Sequence, residues 1–272
     1  MRTLCGKRIL LTGATGTLGA VAARQFLAQG AELILPVRNR QKAEHLQSCL
    51  LKHHPQAALS FPQLDLAEEA SVHALTRQLN AEGKPLDGLV HNAGIFTRSG
   101  RTAPGGREMH MQVNCFSPLL LTGSLLPLLT MAENPFVLTT TSLSAFWKRA
   151  EKESTRPTAL YAASKRALLL QLASLAQETP QVAFLFAHPG VCATGLFLSD
   201  PQQSAYSPAF LRFALPLMKQ LFPSPEKACG SILYAAQHAQ TGQLAEPGGP
   251  MHIWGKPTLV PLSKRLKTYR VF

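Results

Sequence analysis

The chain is poor in acid and has no paired cysteines. Fifteen aspartates and glutamates stand against 27 lysines and arginines, a formal charge of +12 at pH 7. Cys5, Cys49, Cys115, Cys192 and Cys229 are odd in number, scattered, and nowhere spaced C-x-x-C. That argues against a zinc site or a dithiol redox motif, and no metal is expected. The thiols read as reduced, small apolar side chains of a cytoplasmic protein. No uninterrupted apolar run reaches about 18 residues, so no membrane span is expected. The N-terminal "MRTLCGKRILLTGATGTLGAVAA" loosely resembles a secretion signal, but glycine and threonine interrupt it, and we read it as structure. Basic residues do not interleave with aromatics as a single-strand binder requires, so no nucleic-acid partner is expected. A positive surface would still help to attract an anionic cofactor.

What is there alternates. Apolar runs at 8–12, 32–37, 58–65, 86–94, 135–142 and 181–190 read as six strands. Helix-length periodic segments at 17–29, 41–53, 68–79, 109–130, 158–177 and 225–238 separate or follow them, the first closed by Gly30. This predicts an α/β protein with one doubly wound parallel sheet covered on both faces, in a single domain over residues 1–272. The ligand crevice would lie at the carboxyl ends of the strands.

Three short stretches carry chemistry. "TGATGTLG", residues 12–19, joins the first strand to the first helix, where bare backbone and a helix N-terminus can hold phosphate. Its glycines are spaced G-x-x-G-x-x-G, not G-x-G-x-x-G, and no G-K-[ST] follows. At the end of the second strand stand Arg38 and Asn39, with no acid before Glu44. A guanidinium there suits a 2′-phosphate and points to NADP(H), with NAD(H) as the alternative. "YAASK" puts Tyr161 and Lys165 on one helical face. A neighbouring ammonium would pull the phenol pKa down and make Tyr161 a general acid/base.

Together with "LDL" at 64–66, "HNAG" at 91–94, "MQVNCFSPLLLT", "TSLSA" and "HPGVCAT", these stretches occur in the order of a known family. The chain resembles the short-chain dehydrogenase/reductase superfamily, and within it the retinol-dehydrogenase-like group, over roughly residues 8–240. The resemblance implies a Rossmann-type fold and an NAD(P)-dependent oxidoreductase acting on a small carbonyl or alcohol. It implies a catalytic set of Tyr161, Lys165, Ser142 and Asn114, the last holding a water in the proton relay; Ser144 is the alternative to Ser142. The cofactor set it implies is Gly13, Thr15, Gly16, Thr17, Leu18, Gly19, Arg38, Asn39, Asp65, Leu66, Asn92, Ala93, Gly94, Tyr161, Lys165, Pro189, Gly190, Val191 and Thr194. Residues of about 191–225 fall where the family places a substrate lid, and their apolar character suits a lipophilic substrate, as would Phe96 and Trp147. The resemblance leaves a homo-oligomer open. The glycine spacing is that of the family's extended branch, whereas the chain length is that of single-domain members, and His91 replaces the asparagine usual before N-A-G. Rival readings are an NAD-preferring or dual-specific enzyme, and a dinucleotide sensor without turnover.

Overall fold

Strand β1, Arg8–Leu11, forms from "RILL", whose Ile9, Leu10 and Leu11 are completely buried. An apolar run this short, flanked by a turn and a glycine loop, can bury both faces only inside a covered sheet. The computed structural model describes residues 1–98, 100–146, 155–191 and 222–268. Among them the same logic repeats in β2 (Glu32–Ile34), β4 (Gly88–His91), β5 (Phe136–Thr140) and β6 (Ala183–Ala187), whereas the marginal β3 (Leu59–Ser60) is only partly covered. These six pair in parallel, in the order β3-β2-β1-β4-β5-β6. Chain order reverses between β1 and β4, which opens the crevice above those two strands.

Helices cover both faces. α1 (Thr17–Ala28) and α2 (Arg40–His53) follow β1 and β2, and α3 (Glu69–Glu82) precedes β4. α4 (Ser117–Thr130) and α5 (Pro157–Glu178) flank β5, and α6 (Pro225–His238) lies beyond β6 in sequence. One apolar layer joins Leu10, Leu89, Val137 and Phe184 to α3, α4 and α5; the other joins Ile9, Val90, Leu138 and Leu185 to α1 and α6. Alternate strand residues thus serve opposite layers.

The structure amends the sequence reading of several elements. The second and third strands are shorter than 32–37 and 58–65, because Pro36 and Pro62 break the ladders and leave one bridge, Val37 to Gln63. The helical stretch 109–130 is not one regular helix: a turn, Met109–Met111, passes into a π-helical turn, Gln112–Phe116, before α4. By length and composition that stretch could cross a membrane, but Leu121, Leu125, Leu128 and Leu129 are buried in the core. Gly30, at φ +79°, follows the C-cap residue Gln29 and lets the chain turn into β2.

Beyond α6 the sheet gains two strands that the six-strand reading lacks. β7 (Gln243–Pro247) pairs in parallel with β6, and β8 (Pro257–Pro261) returns antiparallel beside it, so the sheet is eight-stranded with an antiparallel margin. Pro257 and Pro261 open and close β8. A short helix, α7 (Leu262–Thr268), carries Arg265 back to Glu246. Glu246 is 1% exposed and Arg265 8%, and Nε donates to both carboxylate oxygens at 3.0 and 2.8 Å.

Removing one partner of that pair strands a buried charge. Arg265→Met should cost about 3–5 kcal/mol in urea unfolding, and the double variant Glu246→Leu/Arg265→Met should recover most of the loss.

Candidate active site

Three loops meet above β1, β4 and β5. In the first, Gly13 takes φ +72°, and a Cβ on it would stand 2.7 Å from the Ala93 Cα. Gly19 faces the Gly13 carbonyl so closely that no side chain fits. Gly16 is the N-cap of α1 and supplies no side-chain cap. Thr15, Gly16 and Thr17 are exposed, and Leu18 is half-buried beside them. Bare backbone and the positive end of α1 therefore reach the crevice together, and this cradle fits the pyrophosphate of a dinucleotide.

The second loop follows β4 and is locked to the first. Thr12, 2% exposed, accepts the N–H groups of Asn92 and Ala93, each at 3.1 Å. Its hydroxyl donates to the Val90 carbonyl at 3.3 Å. Asn92 Nδ2 donates to the carbonyls of Thr12 at 3.1 Å and Gly13 at 3.4 Å. Asn92 thus ties the glycine loop from below. Gly94 sits where a Cβ would meet Lys165 Nζ at 3.0 Å and Asn114 Oδ1 at 3.3 Å.

The helical side completes the site. Asn114, fully buried in the π turn, accepts the Ile95 N–H at 2.8 Å through Oδ1. Its Nδ2 donates to the Ile95 carbonyl at 3.1 Å and to Ser164 Oγ at 3.0 Å. The amide clamps the loop after β4 to α5. On α5, Tyr161 and Lys165 lie one turn apart, and Lys165 Nζ donates to the Thr140 carbonyl at 3.3 Å. Ser142, just past β5, hydrogen-bonds Tyr161. It also accepts from Ser144 Oγ at 3.0 Å and Ser144 N–H at 3.3 Å. Of the two serines, Ser142 is the one bonded to the phenol.

Electrostatics here differ from the sequence expectation. Burial pushes the Tyr161 phenol up to about 12, opposed by the Ser142 hydrogen bond. Burial also pushes the Lys165 ammonium down to about 8, with Cys115 acting the other way. Desolvation is the largest influence on both groups, so the phenol keeps its proton at neutral pH. His91 is held neutral, its pKa pushed down to about 3 by burial and then by Lys165. Its Nε2 lies 2.7 Å from Thr122 Oγ1, so its place is structural.

The remaining expected residues spread outward. Asp65 accepts the Ala67 N–H at 2.9 Å, and the Leu66 carbonyl accepts from Ser117 at 2.6 Å, so both shape the turn after β3. Asn39 caps α2 by accepting the Lys42 N–H at 2.9 Å. Arg38 is exposed, and among the described residues its guanidinium has no partner. Pro189, Gly190 and Val191 follow β6, with Gly190 at φ +81° and the Val191 N–H 3.4 Å from the Ile253 carbonyl. Thr194, Trp147 and nearly all of the proposed lid lie outside the described residues. Sequence reasoning missed Thr12, Ser164 and the pair Glu108–His110. Only Glu108, an acid opening a helical run, carried a local capping signal.

The family model for short chain dehydrogenases matches residues 7–204. The chain belongs to the short chain dehydrogenase family. Retinol dehydrogenase 14 of Homo sapiens is 32% identical over 212 residues, 70% of this chain and 63% of that protein. Dehydrogenase/reductase SDR family member 13 of Bos taurus is 32% identical over 250 residues, 87% of this chain and 63% of that protein. This short chain dehydrogenase therefore spans less than two thirds of the length of either relative. A solved short chain dehydrogenase from Escherichia coli CFT073, complexed with NADPH, superposes with TM-score 0.61 at 27% identity, over 79% of this chain and 92% of that one. One from Burkholderia phymatum in complex with NAD gives TM-score 0.69 at 18% identity, over 87% of each chain, and shows the shared fold.

The Lys165 shift has a sign that unfolding can check. Its folded value of about 8 lies below the ordinary 10.5. Between those values the unfolded chain binds more protons, so this group's contribution to stability rises with pH until Tyr161 begins to oppose it above pH ~10. Relative to Lys165→Met, the wild type should gain about 2 kcal/mol between about pH 7.5 and about pH 9.5 in urea unfolding.

Proposed function

We propose that this short chain dehydrogenase is an NADP(H)-preferring oxidoreductase interconverting a lipophilic carbonyl compound and its alcohol. The observation that carries the reading is the convergence of Ser142, Tyr161 and Lys165 beside a backbone cradle that no Cβ fills. Bound, the nicotinamide would supply or accept the hydride.

The chain's own residues do the rest. Gly13, Gly16 and Gly19 admit the pyrophosphate to the N-terminus of α1. Arg38, exposed beyond β2, would hold the 2′-phosphate through a charge-assisted contact. At neutral pH Tyr161 holds its proton and delivers it to the substrate oxygen as negative charge develops there. Ser142, which hydrogen-bonds the same phenol, would turn its one hydroxyl proton to that oxygen when substrate is bound. Lys165 carries the positive charge beneath, and Asn114 fixes the loop and helix between which a relay water would sit. Phe96, 5% exposed and edge-on to Tyr161, gives the reacting end an apolar wall. That wall suits a lipophilic substrate, as does the alcohol in the name of retinol dehydrogenase 14.

A screen of aldehydes, ketones and alcohols with both coenzymes tests the reading. Tyr161→Phe should lower kcat by about a hundredfold or more while NADPH binding stays within a few-fold. An unchanged kcat removes Tyr161 from the chemistry. Arg38→Ala should weaken NADPH by about tenfold or more and leave NADH unaffected, as read by fluorescence titration. Tighter wild-type binding of NADH than of NADPH would make the enzyme NAD-preferring.

A further inference from the structure

Beside the proposed acid lies a buried histidine that the reaction does not use. His110 is fully buried and neither ring nitrogen is idle. The Thr97 N–H donates to Nε2 at 3.1 Å, so the ring proton resides on Nδ1. Nδ1 lies 2.7 Å from Glu108 Oε1 and donates to it. The other carboxylate oxygen accepts the Met111 N–H at 2.9 Å. Glu108 therefore joins the start of the helical run to the imidazole, and the imidazole holds the loop that follows β4.

Between those two anchors three rings pack on one another. Phe96 meets Tyr161 edge-on, centroids 5.5 Å apart at 86°. His110 meets Tyr161 at 6.5 Å and 73°, and Phe96 at 6.2 Å and 57°. Such edge contacts restrict the swing of the phenol ring. Without the imidazole, the Thr97 N–H loses its acceptor and Phe96 loses the backbone that aims it.

We infer that the Glu108–His110 pair is a positioning device for Tyr161, holding its hydroxyl at the reacting oxygen through the wall of Phe96 and His110. The inference rests on the proposed role of Tyr161. Proton transfer needs the donor oxygen placed within a fraction of an ångström, and a misplacement of about 1 Å costs about a hundredfold. Among the described residues the pair touches neither the glycine cradle nor Arg38, so coenzyme affinity should change much less than kcat. His110 is a positioning residue and takes no proton from the substrate.

The test uses the full chain with 13Cζ-labelled tyrosine, the Tyr161 resonance being the one lost in Tyr161→Phe. In the wild type that resonance should not titrate below about pH 11, consistent with a phenol held in place and largely desolvated by its neighbours. In His110→Leu the wall opens, so Tyr161 should titrate nearer the ordinary value of about 10. In the same variant kcat should fall about tenfold or more, with NADPH affinity within twofold. His110→Gln, which retains an acceptor for the Thr97 N–H, should restore part of both. A Tyr161 titration and a kcat both unchanged in His110→Leu overturn the inference. So does a kcat loss that comes with equal loss of coenzyme affinity and an unmoved Tyr161 resonance, because that marks general damage to the fold. A wild type without turnover on any carbonyl or alcohol overturns the proposed function instead, while the Tyr161 titration still reports on His110.

Discussion

Thr12 leaves β1 with a hydroxyl that has no route to water, and the use made of that hydroxyl holds the crevice together. It accepts two amide protons from the loop after β4 and returns its own to the Val90 carbonyl. Two loops that would otherwise be independent become one piece of backbone, and Asn92 adds its amide to the same joint. Only then can Gly13 sit against Ala93, Gly19 against Gly13, and Gly94 over Lys165. The geometry of the phosphate cradle and of the helix α5 side are thus set by one shared seam between neighbouring parallel strands.

Much of this was legible because it depends on local rules. Buried parallel strands must be short, apolar and followed by turns, and β1, β4, β5 and β6 stand out for that reason. Tyr161 and Lys165 share a helical face by spacing alone. Asn92 and Asp65 were placed at the site by resemblance, yet their bonds go to backbone, one across the seam and one within its own turn. No local rule distinguishes a side chain that meets a ligand from one that shapes the loop beneath it.

What escaped the sequence had lost its local signal. β7 contains a glutamate in its middle and β8 begins and ends in proline, so neither reads as a strand. Glu246 is tolerated there because Arg265, on a helix formed 19 residues later, returns to neutralise it. The π turn hides inside an ordinary helical periodicity, and its effect is to aim Asn114 inward. The Tyr161 expectation erred for a related reason: spacing reports who is near, whereas burial decides which charge state is tolerated.

The prolines of β8 have a further meaning. Ala245 gives its carbonyl to β6, so β7 bonds to β8 through its even-numbered residues, opposite Val260 and Thr258. Positions 257, 259 and 261 then turn their backbone outward, and two of those three lack an N–H. At the opposite margin β3 is only two residues long. Among the described residues neither side of the sheet offers a long row of donors on which a foreign strand can register. The eight-stranded sheet is in this way protected, among the described residues, at both margins from taking on a ninth strand.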